Sequence, residues 1–277
     1  MDLQYFLPRP DLRPLVRAYY YFSTDSASVQ PLCAELGNIR VMLKGGGVLN
    51  TPNGGRHVID KAFLIGPTMG AYSMEAKAET RVFGIGIRPL GWGVLIGMDA
   101  DEAADQVIDL SAFAGGRASP HIEAIRTAPD FQIMANAADH FFSNMLSMRQ
   151  KQQNAYPEAL EKWLMDPSDP DMDALLASMD VSRRQTERLA KRYFGASPKY
   201  LQRKYRALRA ADRVRAGVSG WMDAAGPNFY DQSHFIKEFK TFIGVTPKQF
   251  ISNQAELISE IQSQRQAQAR NILLSSI

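Results

Sequence analysis

Apolar and polar positions change period along the chain. In the first ninety residues, short runs rich in β-branched and aromatic side chains recur at 19–22, 38–43, 61–65 and 80–87. In the last of these, Phe83, Ile85 and Ile87 alternate with Gly84, Gly86 and Arg88, which predicts a strand with one buried face. Pro, Gly and Asn clusters at 44–47, 51–55 and 66–67 separate the runs. Several short strands so spaced predict a small barrel or sandwich. Gly45-Gly46-Gly47 lacks the spacing of a phosphate loop and is expected to form a hairpin turn.

From about residue 92 the period lengthens. Residues 102–107, 121–126 and 131–148 have helical spacing, with Ile133, Ala137, His140, Phe141 and Met145 on one face. That face can pack on its own domain or on a second copy. Two prolines and three acids in 165–171 predict a linker. The expected division is a β-rich regulatory, effector or dimerisation domain with C-terminal helices over 1–165, an all-α domain over 166–252, and a helical or frayed tail over 253–277. The fold class is α+β.

The helical half reads as two related units. Residues 171–179 form a short helix with Met172, Leu175, Leu176 and Met179 inward, and a turn at Asp180-Val181. Ser182 and Gln185 have capping-box spacing. The following helix, 183–194, turns Thr186, Leu189, Ala190 and Tyr193 inward and Arg184, Glu187, Arg188 and Lys191 outward, and Gly195 ends it. Helix, tight turn and basic-faced helix make a helix-turn-helix, whose second helix enters the major groove. Ser197-Pro198 opens a helix to about 216 with Tyr200, Leu201, Tyr205, Leu208 and Ala211 on one side. Lys199, Arg203, Lys204, Arg206, Arg209, Arg213 and Arg215 form the other side, either a solvated face or a connector along phosphates. A second unit follows: a helix over 218–225, a break at Gly226-Pro227-Asn228, and a helix capped by Asp231 that buries Phe235, Phe239 and Phe242 and exposes Gln232, Ser233, Ile236, Lys237 and Lys240. Gly244 ends that helix, and Thr246-Pro247 opens one more turn.

Charge sharpens this picture. Residues 1–165 hold 15 Lys+Arg and 17 Asp+Glu, whereas 181–215 hold 12 and 2, a net +10 over 35 residues. Such a concentration points to a polyanion, with duplex DNA first and an anionic membrane surface second. No apolar run is long enough to span a membrane, and residues 1–16 lack a basic-then-apolar secretory pattern. The single cysteine, Cys33, excludes an internal disulfide and a zinc site of two or more thiolates. These features point to the cytoplasm.

The segment 229–240, followed by Gly244-Val245-Thr246-Pro247, resembles the signature of AraC/XylS-type transcription regulators. The segment 181–185, with Gly195 and Ser197-Pro198, is similar to that family's first helix-turn-helix. The resemblance covers about 168–251. It implies two helix-turn-helix subdomains joined by the 198–216 helix, each placing a recognition helix on DNA, behind a β-barrel, cupin-like N-terminal domain that binds an effector or dimerises. Carried over residue by residue, it implies base contacts from Arg183, Arg184, Glu187, Arg188, Gln232, Ser233 and Lys237. It implies phosphate contacts from Ser182, Lys191, Lys199, Arg203, Arg206 and Lys240. Thr186 and Ala190 stand where the family usually has larger apolar residues, and Asn228 where it has glycine.

Arg40 and Arg88, beside apolar strand neighbours, can hold the carboxylate or phosphate of an effector, or else face solvent or pair with Glu35 or Glu75. Tyr19, Tyr20, Tyr21 and Trp92 can line a pocket or pack in the core, with Tyr21 and Trp92 taken as the effector contacts. Of the histidines 57, 121, 140 and 234, only His57 lies in the β-rich part, so no histidine metal site and no cofactor are expected. The partners expected are duplex DNA, a small effector, RNA polymerase and a second copy. The alternative is an enzyme or effector-binding protein whose helical half is only an interaction module. It lacks clustered catalytic side chains.

Overall fold

The computed structural model describes residues 2–111, 118–147, 155–179, 181–218, 220–226 and 229–252. The expected turns at Asp180 and at Pro227-Asn228, and the tail 253–277, lie outside the described residues. The β-rich part contains β1 (Asp2–Phe6), β2 (Val16–Thr24), β3 (Ser28–Leu32), β4 (Asn38–Lys44), β5 (Gly47–Asn50), β6 (Arg56–Ile59), β7 (Ala62–Ile65), β8 (Tyr72–Ala76), β9 (Thr80–Ile87) and β10 (Val107–Asp109). Two antiparallel sheets form, in the orders β1-β2-β9-β4-β7-β10 and β3-β8-β5-β6.

The triple glycine is not a hairpin turn. β4 belongs to the first sheet and β5 to the second, so the chain changes sheets there. Gly45 at φ +72° and Gly46 at φ +154° turn that corner. Gly47 lies so close to β8 that a Cβ would sit 2.1 Å from the Glu75 carbonyl oxygen. The hairpin turn is instead 51–55, between β5 and β6, where Thr51 N–H donates to Gly55 O at 2.9 Å.

Strand alternation divides the core in two. Tyr19, Ile39, Val41, Phe83 and Ile85 face a helical layer. Phe22, Met42, Phe63, Ile65 and Val82 face the second sheet. The helical layer is α1 (Ser119–Thr127) and α2 (Phe131–Ser147). α2 is rolled from the expected face: Met134, Ala135, Ala138, Asp139 and Phe142 are buried, while Ile133 is 44% exposed and His140 is exposed. The roll brings Asp139 Oδ1 within 2.7 Å of the Tyr19 hydroxyl, which donates to it. Burial, then that bond, push the Tyr19 pKa well above its usual value. Phe131 wedges against Phe6, Tyr21 and Phe83.

Residues 102–107 are not a helix. Asp105 takes φ +58°, and its carboxylate accepts from Met69 N–H at 2.7 Å. Gly66 N–H donates to Gln106 O, and Val107 begins β10. Tying to the 66–69 loop overrides a helical pattern barely longer than one turn.

The second half contains α3 (Tyr156–Met165), α4 (Met172–Ala177), α5 (Arg183–Phe194), α6 (Pro198–Arg215), α7 (Trp221–Ala225), α8 (Gln232–Ile243) and α9 (Pro247–Ile251). α3, assigned from sequence to the β-rich part, packs here. Its Tyr156, Leu160, Trp163 and Leu164 share a core with Leu175, Leu189, Ala190, Tyr193, Phe194, Leu201 and Tyr205. No helix among the described residues is long and apolar enough to cross a membrane.

Gly84 tests the close packing of the first sheet. A Cβ there would lie 1.9 Å from Tyr20 Cζ, inside the ring. Gly84→Ala should lower stability by about 1–3 kcal/mol, read as a lower urea midpoint at unchanged slope. An unchanged midpoint would mean the ring moves aside freely.

Candidate nucleic-acid interface and barrel cavity

α5 starts where Ser182 accepts from Gln185 N–H at 3.2 Å, and ends at Gly195, φ +86°. Thr186, Leu189, Ala190 and Tyr193 are buried. α3 packs against this side, and its Tyr156 hydroxyl donates to the main-chain carbonyl of Thr186 at 2.7 Å. That buried partner is what the sequence pattern did not reveal. Ser182, Arg183, Arg184, Glu187, Arg188 and Lys191 are all exposed along the opposite side.

α8 repeats the design with different chemistry. Asp231 accepts from His234 N–H at 2.7 Å, and Gly244 at φ +92° ends the helix. Phe229, Phe235, Phe239 and Phe250 pack edge to face, with centroids 5.2–5.6 Å apart. Thr246 and Gln249 form a capping box that starts α9. Gln232, Ser233, Lys237 and Lys240 are exposed. Two apolar side chains stand beside them, Ile236 at 36% exposure and Tyr230 at 92%, neither assigned a base contact from sequence.

The connecting helix α6 departs most from its sequence reading. Its basic residues are mostly held inside the molecule. Arg203 makes a forked pair with Glu238 of α8, at 2.9 and 2.7 Å, and that hydrogen bonding raises the Arg203 pKa. Arg206 and Arg209 both pair with Asp169 at 2.7 Å. Arg213 donates to the Ala224 and Ala225 carbonyls at 2.8 Å, and burial lowers its pKa. Lys204 is 1% exposed, and its Nζ donates to the carbonyls of Glu35 and Thr68 at 2.7 and 2.8 Å. Of the two arginines expected at phosphates on this helix, Arg203 is therefore tied to Glu238 and Arg206 to Asp169. Lys199 is exposed.

The β-rich part grips both units. Ala100 N–H donates to Arg192 O at 2.8 Å in α5. Ala34 and Ala71 N–H donate to Phe242 and Thr241 carbonyls at 2.7 and 2.8 Å in α8.

Between the sheets lies a cavity that opens to solvent. Its walls are mostly apolar, with Leu3, Phe22, Leu32, Met74, Val82 and Ile87 among them, and Arg17, Gln30, Glu35, Asn38 and Arg40 as polar lining. Arg40 is 5% exposed. Its Nε donates to Tyr20 OH at 2.7 Å, and its Nη2 to Tyr72 OH at 2.6 Å and Glu35 Oε2 at 3.3 Å. Burial alone would lower the Arg40 pKa, but the hydroxyl oxygens of Tyr20 and Tyr72 and the Glu35 carboxylate outweigh it and hold the guanidinium charged. So Arg40 both lines the cavity and pairs with Glu35.

Tyr19, Tyr21, Arg88 and Trp92 lie elsewhere, Tyr19 in the core against the helical layer. Tyr21 points away because its neighbours Tyr20 and Phe22 take the cavity side of β2. Arg88 pairs with Glu161 of α3 at 2.7 Å. Trp92 is 1% exposed and donates its indole N–H to Met98 O at 2.7 Å. Tyr20, one of the four aromatic residues offered from sequence as pocket lining, does line the cavity, whereas Glu35 was named from sequence only as a partner for an arginine. Strand alternation could have found Tyr20 from the position of Arg40. Among the described residues, no group of three His, Cys, Asp or Glu side chains comes together as a metal site.

Residues 175–253 match a family model described as a helix-turn-helix domain, and residues 4–109 match a domain of unknown function (DUF6597). The chain is 28% identical over 122 residues to the HTH-type transcriptional regulator GbdR of Pseudomonas aeruginosa. That alignment covers 43% of this chain and spans 33% of the relative's length. In structure, it is similar to apo ToxT of Vibrio cholerae with a TM-score of 0.47 and 12% identity, covering 84% of this chain and 96% of that one. Unsaturated-fatty-acid-bound wild-type ToxT gives a TM-score of 0.46 at 12% identity, covering 83% and 93%.

Arg206 separates the two readings of α6. Arg206→Ala should lower stability by about 1–3 kcal/mol, because Asp169 loses one of its two cations. It should leave the slope of log affinity against log salt for duplex DNA unchanged. A flattened slope with unchanged stability would return Arg206 to the phosphates.

The two capped recognition helices, the helix that joins them and the match over 175–253 agree, and the helical half is an AraC/XylS-type double helix-turn-helix domain, carried in this chain behind an N-terminal β domain.

Proposed function

We propose that the chain is a sequence-specific transcription regulator that binds duplex DNA through α5 and α8 in successive major grooves and is controlled through its β-rich domain. The observation that carries the reading is the selective exposure of two capped helix faces, Arg183-Arg184-Glu187-Arg188 and Gln232-Ser233-Lys237, while Arg203, Lys204, Arg206, Arg209 and Arg213 between them are engaged internally. Arg183, Arg184, Glu187, Arg188, Gln232, Ser233 and Lys237 contact bases. Ser182, Lys191, Lys199 and Lys240 contact phosphates. Arg203 and Arg206 act as positioning residues instead.

The domain boundary in this reading falls between α2 and α3, because α3 completes the core around α5. The effector is a small, largely apolar molecule with a polar group that engages Arg40 or Glu35 in the cavity. Pairing of two copies through α1 and α2, contact with RNA polymerase at the promoter and action in the cytoplasm complete the reading. No catalytic role is assigned.

Selection of random duplexes by the full-length protein, across a salt series, tests this. An enriched bipartite motif with halves about one helical turn apart is expected, with affinity falling steeply as salt rises. Binding without enrichment, or none at low salt, would overturn sequence-specific reading. Arg188→Ala should then weaken the selected duplex by about 1–3 kcal/mol and relax preference at one base position. Equal weakening on all sequences would remove Arg188 from base reading.

A further inference from the structure

The cavity and the junction between the two halves share a residue. Glu35 lines the cavity with its side chain, and Oε2 accepts from Asn38 at 3.0 Å, Arg40 at 3.3 Å and Tyr72 at 3.0 Å. Its main chain faces the other way. The N–H donates to Thr68 Oγ1 at 2.7 Å, and the carbonyl accepts from Lys204 Nζ at 2.7 Å. Lys204 also takes the Thr68 carbonyl, and its charge acts on the buried Asp105 carboxylate.

The neighbours of Glu35 continue the line. Leu36 lines the cavity. Ala34 N–H donates to Phe242 O at 2.7 Å, and its side chain is buried with Ala207 and Phe242. Cys33 is fully buried in the core of the second helix-turn-helix unit. Four consecutive residues therefore run from the core around α8 to the wall of the cavity.

We propose that segment 33–36 transmits occupancy of the cavity to the seating of the helical half, with Lys204 as the positioning residue at the contact. This rests on the effector reading above. A ligand that takes a bond from Arg40 or Glu35 moves the Glu35 side chain. The main chain there has two soft dihedrals per residue and is held on both sides. It cannot follow the side chain without drawing its carbonyl from Lys204 or Ala34 N–H from Phe242. Either change loosens α6 and the C-terminal end of α8 from the β-rich domain, while the Arg203–Glu238 fork keeps α6 and α8 together.

Amide exchange at Ala34 reads the contact directly, since its N–H is the donor to α8. Two variants of the full-length protein perturb the line from opposite ends. Lys204→Met removes the ammonium and keeps an unbranched apolar stem. Tyr72→Phe removes the hydroxyl that bonds Arg40 at 2.6 Å and Glu35 at 3.0 Å inside the barrel. Both should speed exchange at Ala34 by at least about tenfold, with β9 amides unchanged. Both should shift the Kd for the selected duplex in the same direction, by at least about threefold.

Unchanged Ala34 exchange in folded Lys204→Met overturns the proposal. So does a Tyr72→Phe effect confined to the barrel strands, and that arm decides alone if the lysine variant does not fold. Shifts of opposite sign, or no shift in Kd, also overturn it. Failure of every form to bind duplex would sink the DNA reading while leaving the exchange result to be judged separately.

Discussion

A buried ammonium joins the two halves of this molecule. Moving a charged lysine out of water is costly unless its donors find acceptors, and Lys204 places two of its three N–H groups on the carbonyls of Glu35 and Thr68. Those carbonyls belong to two different loops of the β-rich domain, and the lysine belongs to the helix that joins the two reading units. One side chain thus fixes both loops against α6. The contacts of Ala34 and Ala71 with the end of α8 depend on the same loops.

The internal use of charge follows from the same constraint. A run with net +10 over 181–215 reads as a polyanion surface. In the fold, Arg203, Lys204, Arg206, Arg209 and Arg213 are tied to carboxylates or carbonyls, and Arg192 lies 3.5 Å from Asp99. Arg183, Arg184, Arg188, Lys191 and Lys199 remain exposed. On the proposed reading, electrostatic attraction to a duplex concentrates on α5 and the start of α6, so the field that draws the protein to DNA also orients it. The forked Arg203–Glu238 pair sets α8 relative to α6, so on the same reading phosphate attraction at one unit positions the other.

The local code of the helical half was legible. Ser182, Ser197, Asp231 and Thr246 cap the helices that the pattern predicted, and Gly195 and Gly244 end theirs, because capping is decided within one turn. What could not be read are facts of long sequence separation. Arg206 and Asp169 meet across 37 positions and Lys204 and Glu35 across 169, and periodicity carries no information about either pairing. The basic stripe of α6 therefore read as a solvated face or a connector along phosphates. Residues 102–107 failed for the same reason, as the Met69 N–H that holds Asp105 in a left-handed conformation lies on another loop. In the barrel, alternation along β2 decides that Tyr20 and not Tyr21 faces the cavity, but only once the side of Arg40 is known.

The two recognition faces differ in kind, and the difference bears on what a bipartite site contains. α5 exposes three arginines and a glutamate. Guanidinium groups match the paired acceptors of guanine, and a carboxylate accepts from the cytosine amine. α8 exposes Gln232, Ser233, Ile236 and Lys237, with Tyr230 just outside its first turn. Glutamine matches the donor and acceptor of adenine, and a branched apolar side chain matches the thymine methyl. On the proposed reading the chain recognises a G·C-weighted half with strong charge-assisted bonds and an A·T-weighted half with weaker, shape-dependent ones. The weaker contact is made by the helix whose end is bonded to Ala34 and Ala71. Control through the β-rich domain then acts where the least binding energy has to be overcome, and the arginine-rich unit can keep the protein on DNA while the second unit is adjusted.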